Sequence, residues 1–595
     1  PERMNFPAME LEILAKWDRE DILAKLNKAR TGSRLFVFYE GPPTANGMPG
    51  IHHVLSRAYK DVMLRYKAMQ GYLPIRRGGW DTHGLPVELE VEKELNLSSK
   101  NQIEAFGIEE FNKRCKESVF RYIQDWKTMT KRTGVWLDMD DAYITYENSY
   151  IENSWEIFKS LWDANLIYEG FRVTPHCPRC DTSLSSHELS LGYKENTPDP
   201  SIFVRFPILR TESDKNTSFY DLLGLDEDTE ISFLVWTTTP WTLSANAALA
   251  ISAEEEYVVV SSSENGLKKE KLILGAKLKD SVLSEDWVVN NNFYGRDFVG
   301  LRYEAPYKEK ATAPELQMVY AADFVTTFEG TGIVHSAPAY GSDDSDLGAK
   351  HQLPTQHTVN QYGILDEGFP GSGMFVKDAD KQIINDLDHR KLLFKQAIYY
   401  HTYPFCWRCD TPLLYYAKSS WYIRTTAYKK ELLQGNESIN WHPAHIKEGR
   451  FGEWLRNNVD WAVSRERYWG TPLPIWRCNE CDHLECIGSL KELESRVASD
   501  VKSQLPNLDL HRPYIDSIQI QCSKCNSMMT RILEVADAWY DSGAMPFSQW
   551  KYPVKLPTPD GTLTLNNIND LVSSPYYPAD FITEAIDQTR GWFYS

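Results

Sequence analysis

The chain has 595 residues, 42% of them hydrophobic, and a formal charge of −19, too long for one hydrophobic core, so several domains are expected. It holds no run of about 18 apolar residues, so no membrane-spanning helix is expected, and no apolar stretch follows Pro1-Glu2-Arg3-Met4, so these residues are not expected to be a signal peptide. The acidic balance argues against nonspecific nucleic-acid binding over the whole surface but leaves a local basic groove open; a cytoplasmic protein with no membrane contact is expected, its sequence trimmed at a start that is not Met.

In chain order, the first predicted element is an apolar strand over 35–39. A Gly/Pro-rich turn follows, Glu40-Gly41-Pro42-Pro43-Thr44-Ala45-Asn46-Gly47-Met48-Pro49-Gly50-Ile51-His52-His53, opening a helix with apolar residues at Ile51, Leu55, Ala58, Val62 and Met69. A strand-to-helix turn ending in histidines at a helix N-terminus is a place to hold an anion. Leu73-Pro74-Ile75 then leads through Arg76-Arg77-Gly78-Gly79-Trp80-Asp81-Thr82-His83-Gly84-Leu85-Pro86 into a helix over 87–95. From about 197 to 395 the character changes: short β-rich runs at 231–236, 257–260 and 317–320 alternate with polar, Gly-containing loops. That reads as a mainly β domain inserted into an α/β host. Near the end, Phe581-Ile582-Thr583 leads into Glu584-Ala585-Ile586-Asp587-Gln588-Thr589-Arg590-Gly591-Trp592 as another strand–turn–helix unit.

Eight of the ten cysteines lie in four Cys-x-x-Cys pairs, leaving Cys115 and Cys486. Cys177-Pro178-Arg179-Cys180-Asp181-Thr182 is echoed by Cys406-Trp407-Arg408-Cys409-Asp410-Thr411, so these pairs are expected to close one four-thiolate site across the insertion. By the same logic Cys478 and Cys481 join Cys522 and Cys525. Two structural Zn(2+) sites are expected; redox dithiols would need a thioredoxin-like setting that is not here.

The turn 40–53 resembles the ATP-binding signature of class I aminoacyl-tRNA synthetases, their isoleucine-specific members in particular. Those have Pro-His-x-Gly-His where this chain reads Pro49-Gly50-Ile51-His52-His53: histidine and glycine have exchanged places. Gly79-Trp80-Asp81-Thr82-His83-Gly84 and Ser464-Arg465-Glu466-Arg467-Tyr468-Trp469-Gly470 are also similar to the isoleucine branch, and the likeness runs from about 35 to 595. It implies a Rossmann-like class I catalytic domain split by a mainly β editing domain, plus zinc-knuckle modules. The implied domains are an N-terminal extension (1–34), the first catalytic half with the first knuckle (35–196), the editing or connective peptide 1 domain (197–395), connective segments with knuckles (396–535) and the start of the second catalytic half (536–595).

The resemblance also implies a monomer that uses ATP with Mg(2+), L-isoleucine and tRNA(Ile). Forming an aminoacyl adenylate asks a protein to align its reactants and stabilise phosphate charge. His53 matches the signature's second histidine, and His52 is expected to swing to a phosphate in place of the imidazole missing at Gly50. Glu40, Gly41, Pro42, Thr44 and Asn46 belong to the nucleotide turn. Asp81 matches the residue that holds the substrate ammonium; Pro42, Trp539 and Trp592 match the side-chain pocket. Glu584, Asp587 and Gln588 match residues on the adenylate's ribose and carbonyl, with Ala585 where the family has Gly.

Trp236-Thr237-Thr238-Thr239-Pro240-Trp241-Thr242-Leu243-Ser244-Ala245-Asn246 resembles the threonine-rich peptide of the family's editing domain, and Gly330-Thr331-Gly332-Ile333-Val334-His335-Ser336-Ala337-Pro338, continuing to Gly341-Ser342-Asp343-Asp344, resembles its second half. Alone, a threonine run would read as strand propensity. One methylene in an apolar pocket discriminates only about 10–200-fold, isoleucine against valine being the established example, so a second, smaller pocket must hydrolyse the misacylated product. The resemblance gives Thr237, Thr238, Thr239 and Asn246 the terminal adenosine and water, His335 the side-chain pocket, and Asp344 the amino group. The family's Lys-Met-Ser-Lys-Ser loop and helical anticodon-binding domain do not occur in these residues, and Lys418-Ser419-Ser420 is no substitute, so efficient charging by this stretch alone is not expected. Two alternatives stay open: a catalytically silent relative binding adenylate or RNA, and an editing-only deacylase.

Overall fold

The structure, a computed structural model, describes residues 5–595 except 45, 98, 211–212, 227–228 and 263–269; the first four residues and Ala45 of the nucleotide turn therefore lie outside it. The chain divides into two compact units, Pro1–Glu169 with Trp421–Ser595, and Gly170–Ser420. No helix among the described residues is long and apolar enough to cross a membrane.

The first unit is built on short parallel strands. Leu35–Phe36 pairs with Leu73–Pro74, and Arg77–Trp80 with Asp138–Ile144. Alternation of side chains sends Leu35, Val37 and Tyr39 into one apolar cluster with Tyr143 and Trp550, and Phe36 and Phe38 into another with Leu64. Parallel bridges Phe38–Phe581 and Thr44–Asp81 then bring the ends of these strands together. In such sheets ligands bind beyond the carboxyl ends of the strands. The expected strand at 581–583 is reduced to that one bridge, and a 3-10 turn, Ile586–Arg590, stands where a helix was expected.

The helix after the nucleotide turn forms over Ile51–Met69 but buries a face other than its apolar stripe. Ile51 and Met69 are 83% and 81% exposed, and Leu55 and Val62 are exposed too, while Arg57, Lys60, Leu64 and Ala68 are buried. The cause is electrostatic: the two inward cations meet buried carboxylates, described below. The next helix, Leu85–Leu95, starts at Gly84, whose φ of +94° suits glycine and where a Cβ would lie 2.7 Å from Ala538. Farther on, Leu484–Cys486, Ile475–Cys478, Met528–Arg531 and Ile520–Gln521 form a four-stranded antiparallel sheet bearing the second cysteine group.

The second unit is mainly β, as its alternating runs imply. Its six-stranded sheet runs, in order, Trp287–Tyr294, Glu256–Ser262, Glu270–Gly275, Glu230–Thr237, Tyr193–Pro207 and Leu393–Pro404. A three-stranded sheet places Ala248–Ile251 between Val319–Ala321 and Ile333–Ser336. The span expected for the insertion, 197–395, lies within this unit, which also holds Cys177, Cys180, Cys406 and Cys409.

Candidate functional site

A cleft of about 530 Å³ opens in the first unit. Glu40, Gly41, Pro42, Thr44, Asn46, His52, His53, Asp81, Trp539, Glu584, Asp587, Gln588 and Trp592 all line it. Residues that sequence reasoning assigned to four separate stretches are thus brought together. Ser56, Arg57, Lys60, Trp126 and Ser542 also line the cleft and were missed. Arg57 and Lys60 follow His53 by four and seven residues, so helical spacing was the available signal.

His53 is fixed from within its own turn. Its Nδ1 accepts the Gly50 amide at 2.9 Å, capping the helix, and its ring lies 4.5 Å from Trp126. Burial first, then the positive neighbours His52, Arg57 and Lys60, push it down to about 4. The ring is neutral at pH 7, and the capped Nδ1 leaves the proton on Nε2 as a donor. His52 explains the exchange: a Cβ on Gly50 would lie 2.7 Å from its Cε1, so its ring occupies the space a side chain at position 50 would need. The rings of His52 and His53 lie 3.8 Å apart. Gly50 itself has an ordinary extended backbone, φ −98° and ψ 173°, so no strain demands glycine there, and a side chain at position 50 would meet only the His52 ring, which would have to turn away.

Two carboxylates and two cations form the cleft floor. Lys60 Nζ lies 2.6 Å from Glu584 and 3.3 Å from Glu40, and Arg57 lies 3.7 Å from Glu40. Burial raises the Glu584 carboxyl, opposed by Lys60. Glu584 packs so closely on Gly41 that a Cβ there would meet its Oε1 at 2.5 Å. Asp81 donates its backbone N–H to Pro43 O at 3.1 Å. Gln588 Oε1 accepts the Trp592 amide at 3.0 Å, and Trp592 Nε1 donates to Ser542 O at 3.0 Å.

In the second unit the two editing-like peptides meet through antiparallel pairing of His335 with Leu249 and Ser336 with Ala248. Tyr303 donates to Asn246 Oδ1 at 2.8 Å, which turns Asn246 Nδ2 toward His335 Nδ1 at 3.1 Å. Nδ1 is then the acceptor, and Nε2–H faces Thr242 Oγ1 at 2.8 Å. Burial pushes His335 down to about 4, so the ring is neutral. Thr242 continues to Thr239 at 3.1 Å and Thr239 to Thr237 at 3.3 Å. Thr242 was missed, although it lies one helical turn from Thr239. Thr238 is half-buried. Asp344, in the first turn of the helix Ser342–His351, accepts the Ala337 amide at 3.2 Å. Burial pushes it up to about 6, against that hydrogen bond. Asp380 accepts the Trp241 amide at 3.0 Å, anchoring the threonine peptide from a different helix.

Both cysteine groups assemble as their spacing implies. In each, the four Sγ atoms lie within 4.8 Å of one another, and all ten thiols are free of disulfides. Sulfur separations of 3.4–3.8 Å between Cys478 and Cys525 and between Cys481 and Cys522 match the edge of about 3.8 Å of a tetrahedron with 2.3 Å metal–sulfur bonds. The donor sets therefore fit a tetrahedral metal ion.

A parallel-stranded unit whose cleft gathers the 40–53 turn, Asp81, Trp539 and the 584–592 segment, and a mainly β unit inserted in its sequence, define a class, and the comparisons agree. The family described as tRNA synthetases class I (I, L, M and V) matches residues 12–595, and the chain belongs to it. Its relatives include the isoleucine--tRNA ligase of Dehalococcoides mccartyi (strain CBDB1), 50% identical over 100% of this chain and 58% of that protein. The ligases of Clostridium novyi and Thermus thermophilus are 46% and 47% identical over 99% of this chain and 53% of theirs. The chain thus spans little more than half the length of these relatives. A solved ternary complex of Agrobacterium radiobacter K84 agnB2 LeuRS with tRNA and LeuAMS covers 91% of this chain and 59% of that one, at 16% identity and a TM-score of 0.35, too loose to carry an argument.

Proposed function

We propose that this chain carries the adenylate-forming site and the editing site of an isoleucine--tRNA ligase. In the cleft, ATP with Mg(2+) and L-isoleucine react: the amino acid carboxylate attacks the α-phosphate and pyrophosphate leaves. Asp81 holds the ammonium; Pro42, Trp539 and Trp592 enclose the side chain; Glu584, Asp587 and Gln588 hold the ribose and carbonyl. His53 Nε2–H is a directional donor to the phosphates at the positive end of its helix, and His52 takes the place of the imidazole absent at position 50. The isoleucyl group then passes to tRNA(Ile). In the β unit, Asp344 pairs with the amino group of a misattached valine. The threonines and Asn246 hold the terminal adenosine and the attacking water, and His335 acts from behind by fixing Thr242. No nucleophilic side chain is needed, since an aminoacyl ester is already activated. The two four-cysteine groups hold structural zinc.

One observation carries this reading: a single cleft gathers the 40–53 turn, Asp81 and the 584–592 segment. The test is calorimetric titration of this chain with a non-hydrolysable sulfamate analogue of isoleucyl-adenylate. Binding that is lost in Asp81→Ala and is much weaker for the valyl analogue is the expected result; no binding, or no difference between the analogues, rejects the reading.

A further inference from the structure

Behind the Asp81 side of the cleft lies a row of four groups, three buried and the fourth, Asp509, partly exposed, that the proposed chemistry leaves unused. His83 Nδ1 is 2.8 Å from Asp541 Oδ2, His83 Nε2 is 2.9 Å from His511 Nε2, and His511 Nδ1 is 2.5 Å from Asp509 Oδ1. The side chains of His83 and Asp541 are 0% exposed and that of His511 2%. Lys116 Nζ lies 3.1 Å from the second oxygen of Asp509, and the Trp469 ring stacks on His511 at 4.5 Å and 11°.

Each of these three contacts needs a proton between its heavy atoms. Two neutral imidazoles supply two. A third makes one ring an imidazolium, and the row with Lys116 then sums to zero charge, which suits its buried His83–Asp541 part, while Lys116 and Asp509 lie partly open to solvent. Without it, a nitrogen lone pair must face another lone pair or a carboxylate oxygen at hydrogen-bond distance. Desolvation works against the third proton, drawing His511 down to about 4, while Asp509 works for it. Asp509 sits below the usual carboxylate range because His511 and Lys116 outweigh its burial. The other titratable groups facing the row are Tyr150, whose hydroxyl donates to Asp541 O at 2.6 Å, Tyr540 and Tyr146, all raised by burial and neutral near pH 7.

One end of the row, His83 with Asp541, adjoins residues that line the pocket. His83 follows Asp81 by two residues, in a turn held by Trp469 Nε1 donating to Thr82 O at 2.6 Å. Asp541 lies in the helix Ala538–Gly543 between Trp539 and Ser542, both of which line the cleft. We propose that His83 and His511 are positioning residues in a proton-sharing strut: His83 fastens the Asp81 turn to the Trp539 helix through Asp541, and His511, held by Asp509, fixes the His83 ring from its other nitrogen, and so sets the ammonium end of the amino-acid pocket against its side-chain end. This rests on the reading of the cleft as an isoleucine site.

The test uses the full chain, unmodified and as His511→Phe and His511→Gln. Histidine ring protons are followed by NMR, and affinities for L-isoleucine and for ATP are measured separately by calorimetry. The strut predicts a far-downfield ring N–H signal at pH 7 that disappears in His511→Phe, a variant that keeps an aromatic ring to stack on Trp469. It predicts a Kd for isoleucine about tenfold higher in His511→Phe with the Kd for ATP unchanged, and recovery of most of that loss in His511→Gln, whose amide can donate to His83 Nε2. A missing downfield signal at pH 7, an isoleucine affinity indifferent to His511→Phe, or a parallel fall in both affinities overturns it. If the unmodified chain shows the signal but binds no isoleucine, the cleft's reading fails and the positioning role falls with it, leaving only the proton row.

Discussion

A side chain at position 50 would displace the His52 ring, which occupies that space, so the exchange of glycine and histidine behaves as a coupled pair rather than two losses. Gly50→His alone is expected to reduce isoleucine-dependent ATP–pyrophosphate exchange in the intact protein by about 10²-fold, the scale of a 1 Å misplacement. Adding His52→Gly should restore it. An unmodified protein that shows no exchange while the double variant does would mean that the exchanged turn is inactive. Removing the donor itself, in His53→Ala, should cost about 10²–10³ in rate, as for loss of one preorganised donor. Asp344 titrates at a useful place: with its carboxyl pushed up to about 6, the ionised form that pairs with an ammonium is lost as pH falls through that value. The kcat/KM for valyl-tRNA deacylation should therefore rise between about pH 5 and pH 7 with a midpoint near 6, and Asp344→Asn should be slow and flat. A wild-type profile flat across that range would show that Asp344 does not act as the free carboxylate.

Among the elements, the two cysteine groups differ in access. Cys177, Cys180 and Cys406 are buried, whereas Cys481 and Cys525 are exposed. Chelation should accordingly remove two zinc ions per chain in two phases, the first from the sheet that carries Cys478, Cys481, Cys522 and Cys525. Cys525→Ser should abolish the fast phase and keep the slow one, read by metal analysis against time. A single phase, or fewer than two ions, would contradict the paired assignment. The helix Ile51–Met69 teaches the opposite lesson about pattern. Its periodicity gave the right element and the wrong face, because burying Arg57 and Lys60 is tolerable only where carboxylates wait, and Glu40 and Glu584 wait on that side.

For the whole molecule, the proposed function puts different chemistry on separate residues of the two units. Asp81→Ala should abolish adenylate formation while leaving valyl-tRNA hydrolysis intact, and Asp344→Ala should do the reverse; either variant losing both activities would argue against separable sites. The two cysteine groups were legible in the sequence because Cys-x-x-Cys spacing by itself states its chemistry, whereas the nucleotide turn, the Asp81 turn and the threonine peptide stood out only as runs of neighbours that resemble a family's motifs. Even the inserted β unit announced itself through a change of pattern. The sequence could not say which groups face one another across great separations along the chain. Lys60 meets Glu584 from 524 residues away and His83 meets His511 from 428, and which nitrogen of His53 keeps its proton depends on a cap only three residues distant. Local order is written in adjacency and period; the cleft floor, the buried proton row and the choice of helix face depend on where the chain returns, which packing and the cost of unpaired buried charge decide together.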